Sequence, residues 1–300
     1  MVAVAALAVV AGGTSIVACD TDERDLDKNP VSQTGQRLRE LTETEQDLLH
    51  AAEQILLQEC MRGRGFVYQP VSRQPVPDVK FFPYIIDDPA WARRHGYGSD
   101  IERQLKKVRD DDVNQHYFQS LPENRKAPAI AAANGDRPQG LTARAPDGTE
   151  ITRSSQGCQS QAQRKLYLNL ESWFQARVTV DALPALRGRK VLADVKYKNA
   201  VRVWASCMHE AGHEFKDPGD LRAALPPPER PLPRSKEISL AIIEVKCGQS
   251  SGLTSVSRRL DRKYDRQLKN RHRSDVDAWL DFRLDALARA RSVTQSDKSR

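Results

Sequence analysis

The stretch Cys207-Met208-His209-Glu210-Ala211-Gly212-His213 admits two incompatible readings. As His-Glu-x-x-His it is a zinc-peptidase signature: His209 and His213 one turn apart as metal ligands, with Glu210 as general base on a bound water. As Cys-Met-x3-Gly it is the end of a structural helix, tied down through its cysteine and stopped by a glycine. The first reading requires the helix to continue through His213, whereas the second ends it at Gly212. The peptidase reading also needs zinc as cofactor and a third protein ligand. The positions after His213 run Glu-Phe-Lys-Asp-Pro-Gly-Asp and offer no further histidine, which leaves Glu237 or Glu244 from a later helix.

The far end of the chain gives the address. Met1 to Val10 is an uncharged apolar run, followed by small residues and then Ile16-Val17-Ala18-Cys19. A short apolar run with a small-residue cleavage zone is the pattern of a secretory signal. Ile-Val-Ala-Cys resembles a bacterial lipobox, which makes residues 1–18 a lipoprotein-type signal peptide and Cys19 the lipidated residue. No Lys or Arg precedes the apolar run, and a start codon upstream of Met1 would supply the missing basic region. Residues 19–40 are charged and poor in apolar side chains, as expected of a flexible tether. The body has no apolar tract of the roughly twenty residues a membrane span needs.

Export bears on the cysteines. With Cys19 set aside, Cys60, Cys158, Cys207 and Cys247 remain, an even set that outside the cytosol reads as two disulfides with three connectivities open. An internal echo bears on the choice among them. Cys60-Met61-x3-Gly65-x2-Tyr68 and Cys207-Met208-x3-Gly212-x2-Phe215 share four residue types at identical offsets. Each follows an amphipathic helix and precedes a proline (Pro70, Pro218). Each is followed by a helix with one further cysteine near its start or in its first turns. The simplest framework therefore pairs Cys60 with Cys158 and Cys207 with Cys247. In the echo site the two histidine positions are Arg62 and Phe66, so the shared design has no use for a metal.

Between these landmarks the chain reads as mainly α, a disulfide-stapled helical domain or domains with one small β-hairpin and a long C-terminal helix. Thr42-Glu43-Thr44-Glu45 offers a capping box for a helix carrying Leu48 to Met61. Phe66 to Ile86 is extended and proline-broken, its rings draped over the core. Short helices follow: one after Asp88-Pro89, one capped by Ser99, one at 114–120 and one at 122–134. Leu141 to Arg153, with Pro146-Asp147-Gly148 at its centre, is the hairpin. Ser154 or Ser155 caps a helix running from Cys158 to Phe174, and a connection near Leu183-Pro184 leads to Asp194, which caps the helix into the opening motif. Residues 41–180 thus form an N-terminal helical half with the hairpin at 141–153, and 181–300 a C-terminal half. From Ser235 to about Arg291 the pattern is helical almost without pause; unbroken it would reach some 80 Å, so it bends at Gly248 and Gly252 or projects.

Taken together, Cys-Met-x3-Gly at 60–65 and 207–212, Asp-Asp-Pro-Ala-Trp-Ala-Arg-Arg-His-Gly-Tyr-Gly at 87–98, Gly-Cys at 157–158 and Cys-x4-Gly-Leu at 247–253 resemble a group of uncharacterised secreted or lipobox-bearing actinobacterial proteins with paired Cys-Met-x3-Gly elements. The resemblance covers most of the mature chain. It implies an extracytoplasmic address and disulfides, and implies no activity.

Other catalytic signatures are absent: no Gly-x-Ser-x-Gly elbow, no phosphate loop, no Gly-rich dinucleotide turn. Asp87-Asp88 and Asp110-Asp111-Asp112 lack the staggered oxygens and central glycine of a calcium loop, and His95, beside Trp91 and Tyr97, is a packed or surface residue. The remaining lead is basic. Much of the +7 net charge is concentrated near the C-terminus, where Arg258, Arg259, Arg262, Lys263, Arg266 and Lys269 face only Asp261 and Asp265. Outside the cell the polyanions on offer are lipid headgroups and wall polymers, not nucleic acid. The expectation is an extracytoplasmic protein, anchored at the outer face of the membrane or secreted, acting as a non-enzymatic binding or scaffolding module. Its partners would be the membrane, an anionic wall polymer or another envelope protein. The alternative is a zinc-dependent metallopeptidase through His209, Glu210 and His213.

Overall fold

The computed structural model describes residues 38–298. The signal-like segment, Cys19 and most of the expected tether lie outside the described residues. The first half opens with α1 (Glu43–Gly63), α2 (Pro89–His95), α3 (Ser99–Asp110), α4 (Val113–Ser120) and α5 (Glu123–Asn134). Strands β1 (Gly140–Arg144) and β2 (Glu150–Ser154) follow as an antiparallel pair in which Leu141 faces Arg153 and Ala143 faces Ile151. Then come α6 (Gly157–Tyr167), α7 (Leu170–Ala193), α8 (Val195–Glu210) and α9 (Pro218–Ala224), and finally α10 (Arg234–Ser250), α11 (Leu253–Arg271) and α12 (Arg273–Lys298). The chain is mainly α, as expected, and no helix among the described residues is long and apolar enough to cross a membrane.

Local chemistry accounts for most boundaries. Thr42 and Glu45 form the expected capping box, each covering the other's backbone N–H, at 3.2 Å and 2.9 Å. Asp88 caps α2 by accepting from Trp91 N, with Pro89 in the first turn. The hairpin turn closes through Ala145 N to Thr149 O at 2.8 Å, with Gly148 at φ +91°. Two expected caps are not used. Ser99 does not cap α3, because its hydroxyl donates to Glu237 instead. Neither Ser154 nor Ser155 caps α6, whose N-cap position is Gln156; the Ser154 hydroxyl instead accepts from Gln156 N in the tight entry turn.

Two further expectations are corrected. The helix expected to run from Cys158 to Phe174 breaks at Leu168, which takes φ +62°, and Asn169 caps a new helix there. Conversely, no connection forms at Leu183-Pro184: α7 passes through it unbroken. An internal proline costs roughly 3 kcal/mol. Here the flanking Ala, Leu and Arg are strong helix formers, and Trp173, Phe174, Ala176, Val178, Leu183 and Val191 are buried along the same helix. At about 1.5–3 kcal/mol per large apolar side chain, that burial outweighs the proline. Residue 180 therefore lies inside a helix that both halves share.

The long C-terminal pattern is three helices. It bends at Gly252, which sits at φ +74° in the N-cap position of α11, and again at His272; Gly248 stays helical, packed closely against the Ile85 side chain. The chain then returns: Leu284, Ala286, Leu287 and Ala290 of α12 pack into a core with Leu49, Ala52 and Leu56 of α1, Leu141 and Ala143 of β1, and Trp173 and Phe174 of α7. A second core gathers Trp204 and Met208 of α8, Leu221 of α9, Leu240 and Cys247 of α10 and Leu253 and Leu260 of α11. The draped segment contributes Phe66, Val76, Tyr84, Ile85 and Ile86 to the interior, but Phe81 is 88% exposed.

Both disulfides of the expected framework are present, Cys60–Cys158 and Cys207–Cys247. Cys158 lies in the first turn of α6, but Cys247 lies in the last turn of α10 rather than near its start.

Candidate functional site

The opening motif resolves at Gly212. Helix α8 ends at Glu210, and Gly212 takes φ +83°. Its N–H donates to His209 O at 2.9 Å, and the N–H of His213 donates to Met208 O at 2.9 Å. This pair of bonds is the Schellman closure, in which a left-handed residue lets two amides reach back to the last free carbonyls. Gly65, at φ +76°, closes α1 in the same way: Gly65 N to Arg62 O and Phe66 N to Met61 O, both at 3.0 Å. The echo in sequence is therefore an echo in geometry. At each site the cysteine is stapled, the methionine is buried beneath the final turn, and the glycine reverses the chain.

His213 consequently lies beyond the helix. Its ring stacks near Phe215, centroids 6.3 Å apart, while His209 is exposed on the last turn of α8 with Glu214 Oε1 3.6 Å from its Nε2. The one-turn, one-face arrangement that a His-Glu-x-x-His metal site needs is not formed, and Glu210 is exposed. Among the described residues no three His, Cys, Asp or Glu side chains converge as metal ligands.

The two glutamates considered as third ligands have other surroundings. Glu237 is buried and accepts from Tyr97 N at 3.0 Å, Ser99 N at 3.1 Å and the Ser99 hydroxyl at 2.6 Å, tying α10 to the α2–α3 junction. Gly96, at φ +60°, allows this, because a side chain there would collide with Glu237. Glu244 is wholly buried, with no guanidinium within ion-pair distance among the described residues and with the Tyr97 phenol and the Ile86 backbone facing its carboxylate. Burial pushes its carboxyl up to about 7, with the charge of Arg222 opposing. The Tyr97 phenol is pushed up by burial and then by the charge of Glu244, and Arg222 Nη2 is buried without a hydrogen-bond partner among the described residues.

The acidic runs are structural. Asp87 pairs with Arg258, Asp88 with Lys80, and Asp110 with Lys106, all at 2.6 Å, and Asp112 caps α4. His95 packs on Trp91 and meets Asp100 at 2.9 Å.

Of the six basic residues singled out, α11 separates two from four. Arg258 is bound to both the carboxylate and the backbone carbonyl of Asp87. Lys269 lies 3.3 Å from Asp265 and 3.7 Å from Glu40. Arg259, Arg262, Lys263 and Arg266 are exposed, and among the described residues none has a carboxylate within ion-pair distance. Spaced i, i+3, i+4 and i+7, they form one ridge along the helix. The acids of α11 point the other way, Asp261 and Asp265 both pairing with Arg187 of α7.

Two features were missed from sequence: the Glu244–Arg222–Tyr97 cluster, and a pair of arginines, Arg153 and Arg177, about the Trp173 ring. Their members are distant in the chain and carry no motif; the one local signal is an acid, Glu244, within an apolar stretch.

Comparison with protein-family models, with curated proteins and with solved structures finds no match.

Proposed function

We propose that this is an exported, lipid-anchored cell-envelope protein that works as a non-enzymatic binding or scaffolding module, holding the Arg259–Arg266 ridge of α11 against an anionic surface. The observation that carries this reading is the contact between Lys269 of α11 and Glu40. A chain arriving from an anchor at Cys19 enters the folded body at that point, beside the same helix that bears the four unpaired cations. An anchor and a basic ridge act together: the lipid on a lipobox cysteine is a diacylglyceryl group whose two acyl chains hold the protein at the membrane, and a cluster of cations near anionic lipid supplies a second attachment. Two disulfides favour an oxidising compartment, which agrees with export.

Fractionation of the full chain expressed with its own leader tests this. The wild type should sediment with membranes. Cys19→Ala should be released in part, and Cys19→Ala with Arg259, Arg262, Lys263 and Arg266 changed to Glu should be fully soluble. A wild-type chain recovered in the cytosol, or a combined variant that stays on the membrane, would sink the proposal.

A further inference from the structure

Strand β2 delivers Arg153 into a cleft bounded by α1, α6 and α7. Its guanidinium lies 4.8 Å from the Phe174 centroid and 5.6 Å from that of Trp173. Arg177 places its guanidinium 5.2 Å from the same Trp173 ring, so two cations share one indole. No carboxylate reaches Arg153 within ion-pair distance among the described residues; it donates to Gln163 Oε1, and its buried Nε has no acceptor. Burial, followed by the charge of Arg177, lowers Arg153 to about 10. A half-buried guanidinium beside a second one is ordinarily compensated by an anion. Here a cleft of about 660 Å³ adjoins both instead.

The cleft is held in shape before anything enters it. Gln175 clamps the hairpin to α7, accepting from Arg144 N at 2.9 Å and donating to Arg144 O at 3.0 Å. Gln163 is fixed by its 2.7 Å bond to Glu53, and α6 is stapled to α1 by Cys60–Cys158. A rigid site spends little of its binding energy on ordering itself. The lining also carries Glu53 and Asp181, the latter 3.3 Å from Arg177, so it is balanced in charge and unsuited to a polyanion. Leu57, Phe174 and Val178 give it an apolar wall.

We propose that this cleft binds a small zwitterion of the α-amino-acid class, its carboxylate on Arg153 and Arg177, its ammonium toward Glu53 and its side chain against Phe174 and Val178. Planar guanidinium forks suit a carboxylate, and the opposing acid sets the other end of the ligand.

Equilibrium dialysis of the full chain against a labelled mixture of the common L-amino acids tests this, with inorganic phosphate and sodium acetate as competitors. Saturable retention of one or a few amino acids is expected, weakened by roughly tenfold or more in Arg177→Gln and in Glu53→Gln. Arg177 is half-exposed, and a glutamine at position 53 can still accept from Gln163, so neither change threatens folding. Reversal of the α11 ridge should leave retention unchanged. No saturable retention, retention undiminished in both variants, or displacement by phosphate at concentrations where acetate has no effect would overturn the proposal.

Discussion

The Glu244 carboxylate and the Arg222 guanidinium influence each other inside the protein without forming an ion pair: Arg222 acts on the carboxylate through its charge alone, and its Nη2 is buried without a hydrogen-bond partner among the described residues. Desolvation dominates, and the carboxyl rises from an ordinary 4.5 to about 7 in the folded state. A folded-state pKa above the unfolded one means the folded protein binds the extra proton. Stability on this account is full below the unfolded value and is lost as pH rises through the folded one. The linkage amounts to roughly 3 kcal/mol between about pH 4.5 and pH 7. Glu244→Gln should flatten that slope and exceed the wild type in stability at about pH 8. Urea midpoints measured at both ends of the window decide it; an unchanged slope would show that Glu244 is not the titrating group.

Gly212 and Gly188 make a paired test of the helix end. A side chain at either would meet nothing within 4 Å, so space does not distinguish them, but Gly212 has φ +83° and Gly188 is an ordinary interior residue of α7. Gly212→Ala should cost about 1 kcal/mol, the penalty of a left-handed conformation. Gly188→Ala should gain about 0.5–1 kcal/mol from helix propensity and a less free unfolded chain. Thermal denaturation reads both. A stabilising Gly212→Ala would mean that α8 does not end where it is described.

The two staples close loops of different length, with sequence separations of 98 and 40. Loop-closure entropy puts the longer at about 5 kcal/mol and the shorter at about 4 kcal/mol. Replacing Cys60 and Cys158 by alanine should therefore cost more than replacing Cys207 and Cys247. The reverse order would show that constraint on the unfolded chain is not what decides their contributions.

These features were legible in the sequence to different degrees. The echo of Cys60-Met61 in Cys207-Met208 revealed the helix ends and the pairing, because one local geometry needs the same residue types at the same offsets. The hairpin and the caps at Thr42, Asp88 and Asp194 were legible for the same reason: each is satisfied within a few residues. What failed depended on distant partners. Ser99 looks like a cap until Glu237 arrives from 138 positions away. Leu183-Pro184 looks like a break until the burial along α7 is counted. In α10 the apolar Ile238 and Ile242 are only half-buried, while Glu237, Ala241, Glu244 and Gly248 line the buried face. A hydrophobicity pattern cannot place a glutamate in a core, since its acceptance there depends on Tyr97, Ser99 and Arg222.

Because Arg258 and Lys269 form ion pairs within the protein while the four ridge residues have no carboxylate within ion-pair distance among the described residues, Lys263 meeting the Tyr264 ring at 4.7 Å, surface binding and stability should separate by mutation. Neutralising Arg259, Arg262, Lys263 and Arg266 should leave the denaturation midpoint nearly unchanged, since exposed unpaired cations contribute little to folding. It should weaken binding to phosphatidylglycerol vesicles by roughly a thousandfold at low ionic strength, at about 1 kcal/mol per cation. Neutralising Arg258 and Lys269 instead should lower stability slightly, by less than about 1 kcal/mol for such exposed pairs, and change vesicle binding far less. Wild-type binding should fall steeply with added salt, as the screening length shortens, and should be absent on phosphatidylcholine. Co-sedimentation across a salt series measures all of this. Binding that is insensitive to salt, or equal losses from the two sets of variants, would mean that α11 does not meet the surface through its ridge.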